Sequence, residues 1–67
     1  MSVHKTIEIS AESDKGWSEA AGNVVKEASK TVKDIKSVWV KDQSATVENG
    51  EITSYRMNCK VTFEVKS

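Results

Sequence analysis

Proline is absent from this chain, glycine occurs three times and cysteine once. Without proline, no element must end at a fixed φ or a missing N–H, so long uninterrupted strands and helices are expected. A single cysteine, Cys59, cannot close an internal disulfide. With His4 as the one histidine, no Cys/His set has zinc-ligand spacing. An excess of one charge is missing too, because ten basic residues balance ten acidic ones. A nucleic-acid binder carries a basic surplus along a face or helix. No run approaches transmembrane length, and the opening MSVHKTIEIS lacks a signal-peptide apolar core. These absences lead us to expect a cytoplasmic protein with neither a membrane nor a nucleic acid as partner. There is no Gly-rich phosphate loop, nucleophile elbow or pair of catalytic carboxylates, so no enzyme is expected.

What is present is one small domain, spanning residues 1–67. A domain of this size buries only about 60% of the surface its unfolded chain exposes, and it usually needs a staple or an oligomer. With disulfide and zinc excluded, assembly is the remaining route.

Residues Val3 to Ile9 alternate, with Val3, Lys5, Ile7 and Ile9 on one face and His4, Thr6 and Glu8 on the other, as in a half-buried strand. Ser10 to Ser13 breaks that pattern. Ser13 reads as a helix N-cap, with Asp14 in the first turn where the dipole favours negative charge. From Trp17 the spacing becomes helical, through Ala20, Ala21, Val24, Val25, Ala28, Val32 and Ile35. The stripe is narrow and built of small side chains, so the helix can lie close to a sheet but fills little volume.

Two long strands follow, from about Ile35 to Val47 and from about Ile52 to Val65. Between them Asn49-Gly50 is the strongest short hairpin signal. Counting outward from that turn pairs Glu48 with Glu51, Gln43 with Arg56, Val40 with Cys59, Trp39 with Lys60 and Val38 with Val61. The last strand alternates without error, sending Tyr55, Met57, Cys59, Val61, Phe63 and Val65 toward the helix. Strands of about 13 residues exceed roughly 40 Å, which is longer than one helix covers. The overhang must be covered by another subunit.

Trp39 falls between two helix-facing valines, so it belongs to the outward face with Ser37, Lys41, Gln43, Arg56, Asn58 and Lys60. A large aromatic on a polar face marks either a subunit contact or a surface on which a flat ligand stacks. Gln43 and Arg56, read as cross-strand neighbours, can contact the edge of a planar heterocycle or an anion, or can simply pair at an interface. His4 and Cys59 read as structural. Asp34 and Asp42 are candidate oxygen ligands for a metal, but no calcium-loop spacing surrounds them, and a solvated face accounts for them.

This order of elements resembles the dodecin family across essentially the whole chain. The resemblance is carried by Ser13-Asp14-Lys15-Gly16-Trp17-Ser18-Glu19-Ala20-Ala21, by Val40-Lys41-Asp42-Gln43, and by Tyr55-Arg56-Met57-Asn58-Cys59-Lys60-Val61-Thr62-Phe63-Glu64. It implies an α+β fold, a three-stranded antiparallel sheet half-wrapping one helix, assembled as a hollow homo-dodecamer. It also implies storage or sequestration of a riboflavin- or FMN-like flavin, stacked between tryptophans of neighbouring subunits. Aligned through Val40 to Gln43, the family's stacking tryptophan falls on Ser37, and the glutamine that reads the flavin ring falls on Arg56. Arginines that hold a flavin phosphate in some members fall on Ser44 and Glu64. The residues expected to meet a flat ligand are therefore Trp39, Ser37, Gln43 and Arg56. The alternative is a flavin-independent assembly with a structural or ion-binding role, for example toward calcium.

Overall fold

A computed structural model describes residues 3–65. The elements are β1 (Val3–Ser13), α1 (Trp17–Ala28), β2 (Ile35–Glu48) and β3 (Glu51–Val65). They form one antiparallel sheet in the order β1-β3-β2, with the helix packed on β1 and β3. This is the β-α-β-β arrangement expected from the sequence.

β3 is the central strand, and its helix-facing residues are the most deeply buried in the sheet. Met57, Cys59 and Val61 meet Ala20, Val24 and Ala28 of α1 to form the core, with Ile7, Ile9 and Tyr55 packed around them. Alanine at two of the three buried helix positions brings the helix backbone close to the strands, at the cost of a thin core. Burial pushes the Cys59 thiol up from its ordinary pKa. The neutral thiol is the form the fold accommodates, so its contribution to stability holds below the ordinary thiol pKa and is lost as pH rises beyond it. A colorimetric thiol reagent at pH 8 is expected to leave the folded protein unlabelled and to label Cys59 promptly in denaturant.

The helix begins later than expected. Ser13 is still in β1, opposite Tyr55, and its Oγ accepts from the Lys15 N–H at 2.9 Å. That local turn competes with helix capping. The true N-cap is Gly16, with no side-chain cap. β1 runs to Ser13 because β3 is long enough to pair with it throughout, which overrides the small polar residues Ser10 to Ser13. The helix ends at Ala28, earlier than the apolar spacing suggested. Val32 and Ile35 still pack against the core from the connection and from the start of β2.

The hairpin closes as expected, with Glu48 opposite Glu51 and positive φ at Asn49 (52°) and Gly50 (77°). Two left-handed residues in succession define the turn whose twist matches the flanking strands. Asn49→Ala places a Cβ-bearing residue without asparagine's tolerance in that region. A loss of roughly 1 kcal/mol in urea unfolding at fixed protein concentration is expected.

Farther from the turn the register departs from simple counting. Val38, Trp39 and Val40 face Val61, Lys60 and Cys59, as expected. Gln43, however, faces Met57, and Arg56 faces Ser44. Two bulges of opposite sense cause this. One adds Thr53 to β3 between the Val47 and Thr46 pairs, and the other adds Lys41 to β2 between the Asp42 and Val40 pairs. The segment between them is shifted by one residue, which turns each of its side chains to the other face. Gln43 therefore joins Met57 on the helix-facing side, and Asp42 and Ser44 take the outward positions.

The chain is long and thin, 52 × 19 × 13 Å, whereas a 12-residue helix spans about 18 Å. Its radius of gyration is 13.8 Å, against roughly 11 Å for a compact domain of this length. Its accessible surface is 4896 Å², against about 4,200 Å² for a compact monomer of this mass. The excess lies where the hairpin passes beyond the helix. Val47 (60% exposed), Ile52 (49%) and Val40 (38%) continue the helix-facing side of the sheet with nothing over them.

Candidate functional site

The outward face of the sheet is built from cross-strand rows whose residue types are complementary. Thr6 and Thr62 share a hydroxyl hydrogen bond at 3.2 Å. In the central row the Ser10 hydroxyl donates to Asn58 Oδ1, and Asn58 Nδ2 donates to Asp42 Oδ1, so one polar chain crosses all three strands. The bulge at Lys41 makes this row possible, because without it Asp42 would point to the helix side.

Ion pairs flank that row. Lys41 reaches across β3 to Glu8 on β1 at 3.4 Å, and Arg56 Nε lies 3.3 Å from Glu12. Lys36 lies 3.8 Å from Glu64 near the far end of the sheet. These pairs are half-exposed and contribute little to stability, but they neutralise most of the face. Together with Glu8, Ser10, Asp42 and Asn58, the Lys41 and Arg56 side chains line a shallow groove of about 430 Å³.

Trp39 lies beside that groove. Its side chain stays in solvent, 63% exposed, and the Lys60 ammonium sits 5.2 Å from the ring centroid. Ser37, opposite Thr62, is also exposed on this face, two residues before Trp39. Of the residues singled out from the sequence, Trp39, Ser37 and Arg56 thus share the outward face, and Gln43 does not. The other tryptophan, Trp17, packs edge-on against Tyr55 with centroids 4.9 Å apart, at the border of the core. Asn58 and Lys60 stand on the outward face, as the alternation of β3 implied, and Asp42, which was not grouped with them, joins them there. The signal for Asp42 was available in the phase of the apolar residues along β2.

Among the described residues, no three His, Cys, Asp or Glu side chains gather closely enough to hold a metal ion. No helix among them is long and apolar enough to cross a membrane.

A family model for Dodecin matches residues 3–66. The chain belongs to the dodecin family. Calcium dodecin of Mycobacterium tuberculosis is 33% identical over 66 residues, which covers 98% of this chain and 93% of that protein. A crystal structure of that calcium-chelating antigen, described as having a novel calcium-binding site, superimposes with a TM-score of 0.80 at 34% identity. The match covers 96% of this chain and 91% of that one. A crystal structure of a T. thermophilus dodecin mutant reaches a TM-score of 0.93 at 22% identity over 100% of both chains. Dodecin from Streptomyces davaonensis reaches 0.91 at 21% identity, covering 98% of this chain and 97% of that one. The last two show the dodecin fold. Neither transfers a ligand.

Proposed function

We propose that this dodecin assembles into a homo-dodecamer whose shell binds and sequesters a small flat ligand of the flavin class, with Trp39 as the stacking surface. The observation that carries the reading is the 63% exposure of an indole on the polar face of the sheet. Hydration of that much aromatic area is unfavourable, and a flat π-system is the partner that recovers it best. Ser37 leaves the neighbouring position free of bulk, so a ring stacked on Trp39 can extend over it. Arg56 offers guanidinium N–H groups at the far side of the groove once its pairing with Glu12 is shared. Gln43, on the other side of the sheet, is not part of this site within one protomer. The role is storage rather than catalysis, and no nucleic acid or membrane takes part.

Assembly is supported by the uncovered apolar strip on the hairpin and by the elongated protomer. Titration of riboflavin into the assembled protein, followed by flavin fluorescence, tests the ligand. Quenching that saturates at micromolar protein is expected, and fluorescence unchanged at that concentration would exclude a flavin.

A second reading follows from the 33% identity to a protein named calcium dodecin. Asp42 keeps one carboxylate oxygen beyond its bond to Asn58, and Glu8 and Glu12 lie on the same face. An ion held there would need oxygens from more than one protomer, as happens around a symmetry axis. Under this reading, calcium raises the thermal midpoint of the wild type and leaves Asp42→Asn unmoved.

A further inference from the structure

The basic side chains of the outward face are not equivalent. Lys36, Lys41 and Arg56 each lie within 3.3–3.8 Å of a carboxylate. Lys60 does not, although Glu8 stands directly opposite it on β1. That carboxylate is taken by Lys41, whose bulged position lets it reach across β3. Lys60 turns the other way and lies over the indole of Trp39, 5.2 Å from its centroid. The remaining nearby carboxylate, Asp42, is in the next row and accepts from Asn58. Among the described residues, the Trp39 indole is therefore the partner of the Lys60 charge.

We infer that Lys60 makes the Trp39 surface selective for an anionic flat ligand, an aromatic ring system bearing a carboxylate or a comparable anionic group, over neutral and cationic rings of the same shape. The inference rests on the reading of Trp39 as a stacking surface and adds the charge of what stacks there. The physical basis is short. An ammonium already held over one indole face weakens cation–π attraction for any second cation. It also offers a nearby anion a partner that no protein carboxylate satisfies. A charge at 5–6 Å in a partly solvated site changes affinity by about tenfold.

The test uses three naphthalenes of similar size whose one substituent is anionic, neutral or cationic: 2-naphthoate, 2-naphthalenemethanol and 2-naphthylmethylammonium. Each is titrated calorimetrically at pH 7 and low salt into the assembled wild type and into Lys60→Met, with riboflavin run in parallel. The expected result is naphthoate bound about tenfold more tightly than the alcohol, and the ammonium more weakly still. In Lys60→Met the order collapses while the affinity for the alcohol stays within about twofold. Equal affinities in the wild type, the same order persisting in Lys60→Met, or binding of none of the three would overturn the inference. Riboflavin separates this outcome from the flavin reading. Riboflavin bound without a charge order overturns the selectivity alone, whereas a charge order without riboflavin binding supports Lys60 and removes flavin as the ligand.

Discussion

Val47→Asp combined with Ile52→Asp is expected to leave a chain that no longer assembles. In the single protomer these side chains are 60% and 49% exposed, so replacing them takes little from the fold itself. Their value lies between subunits. Covering an aliphatic side chain of this size contributes about 1.5–3 kcal/mol, and burying an unpaired carboxylate in its place costs several more. Two such changes per protomer, repeated at every equivalent contact, outweigh any other substitution on the surface. Sedimentation velocity at micromolar concentration should show the wild type near 89 kDa, twelve times the 7.4 kDa chain, and the variant near the protomer mass. An unchanged sedimentation coefficient for the double variant would mean that the hairpin tip is not the assembly surface.

The second large effect is expected at Trp39. Stacking of an aromatic ring on an indole contributes roughly 1–3 kcal/mol, so Trp39→Ala should weaken binding of the flat ligand by about fivefold to a hundredfold. Trp39→Phe, which keeps a smaller ring, should recover part of the loss. The side chain is largely in solvent and makes no core contact, so the thermal midpoint of Trp39→Ala should stay within a few degrees of wild type. A variant that instead falls apart into smaller species would identify Trp39 as a subunit contact. Equal riboflavin quenching in both proteins would remove it from the ligand site.

The hairpin shows how much of this was legible in the residues. Asn49-Gly50 located the turn, and the valines of β2 located its far pairs. The pair beside the turn and the pairs from Ser37 to Val40 agree with counting outward, and that agreement concealed the middle; beyond them Lys36 is a further extra residue, which sets Ile35 opposite Phe63. Thr53 and Lys41 are extra residues on opposite strands, so the shift introduced by one is cancelled by the other. A single bulge would have put Val38 and Val40 on the wrong face and exposed itself. The trace left in the sequence is a change of phase. Val38 and Val40 are apolar at even positions, whereas Ala45 and Val47 are apolar at odd ones. On β3, Ile52 and Tyr55 lie three positions apart rather than an even number. Reading those phases would have moved Gln43 to the helix side and brought Asp42 into the outward row. The Lys60 arrangement was less accessible, because it depends on Lys41 reaching a strand that is not its neighbour. Helix length was misjudged for another reason. Val32 and Ile35 do reach the core, but from a connection and a strand, and spacing alone does not distinguish these from a helix.

The strand order has a consequence for how the chain acquires its shape. β1 and β2 do not touch as neighbours in the sheet; each is hydrogen-bonded only through β3, which follows both in the chain. Val3 waits for Val65, and every rung of the β1 ladder joins residues from opposite ends of the described chain. Until β3 begins to emerge there is accordingly no partial sheet to form, only a short helix without a surface to lie on. Contacts this distant in sequence close slowly, and the closing event is nearly all-or-none. A nascent chain stalled before Tyr55 should therefore be as sensitive to protease as an unfolded one, and resistance should arrive in a single step once β3 is free.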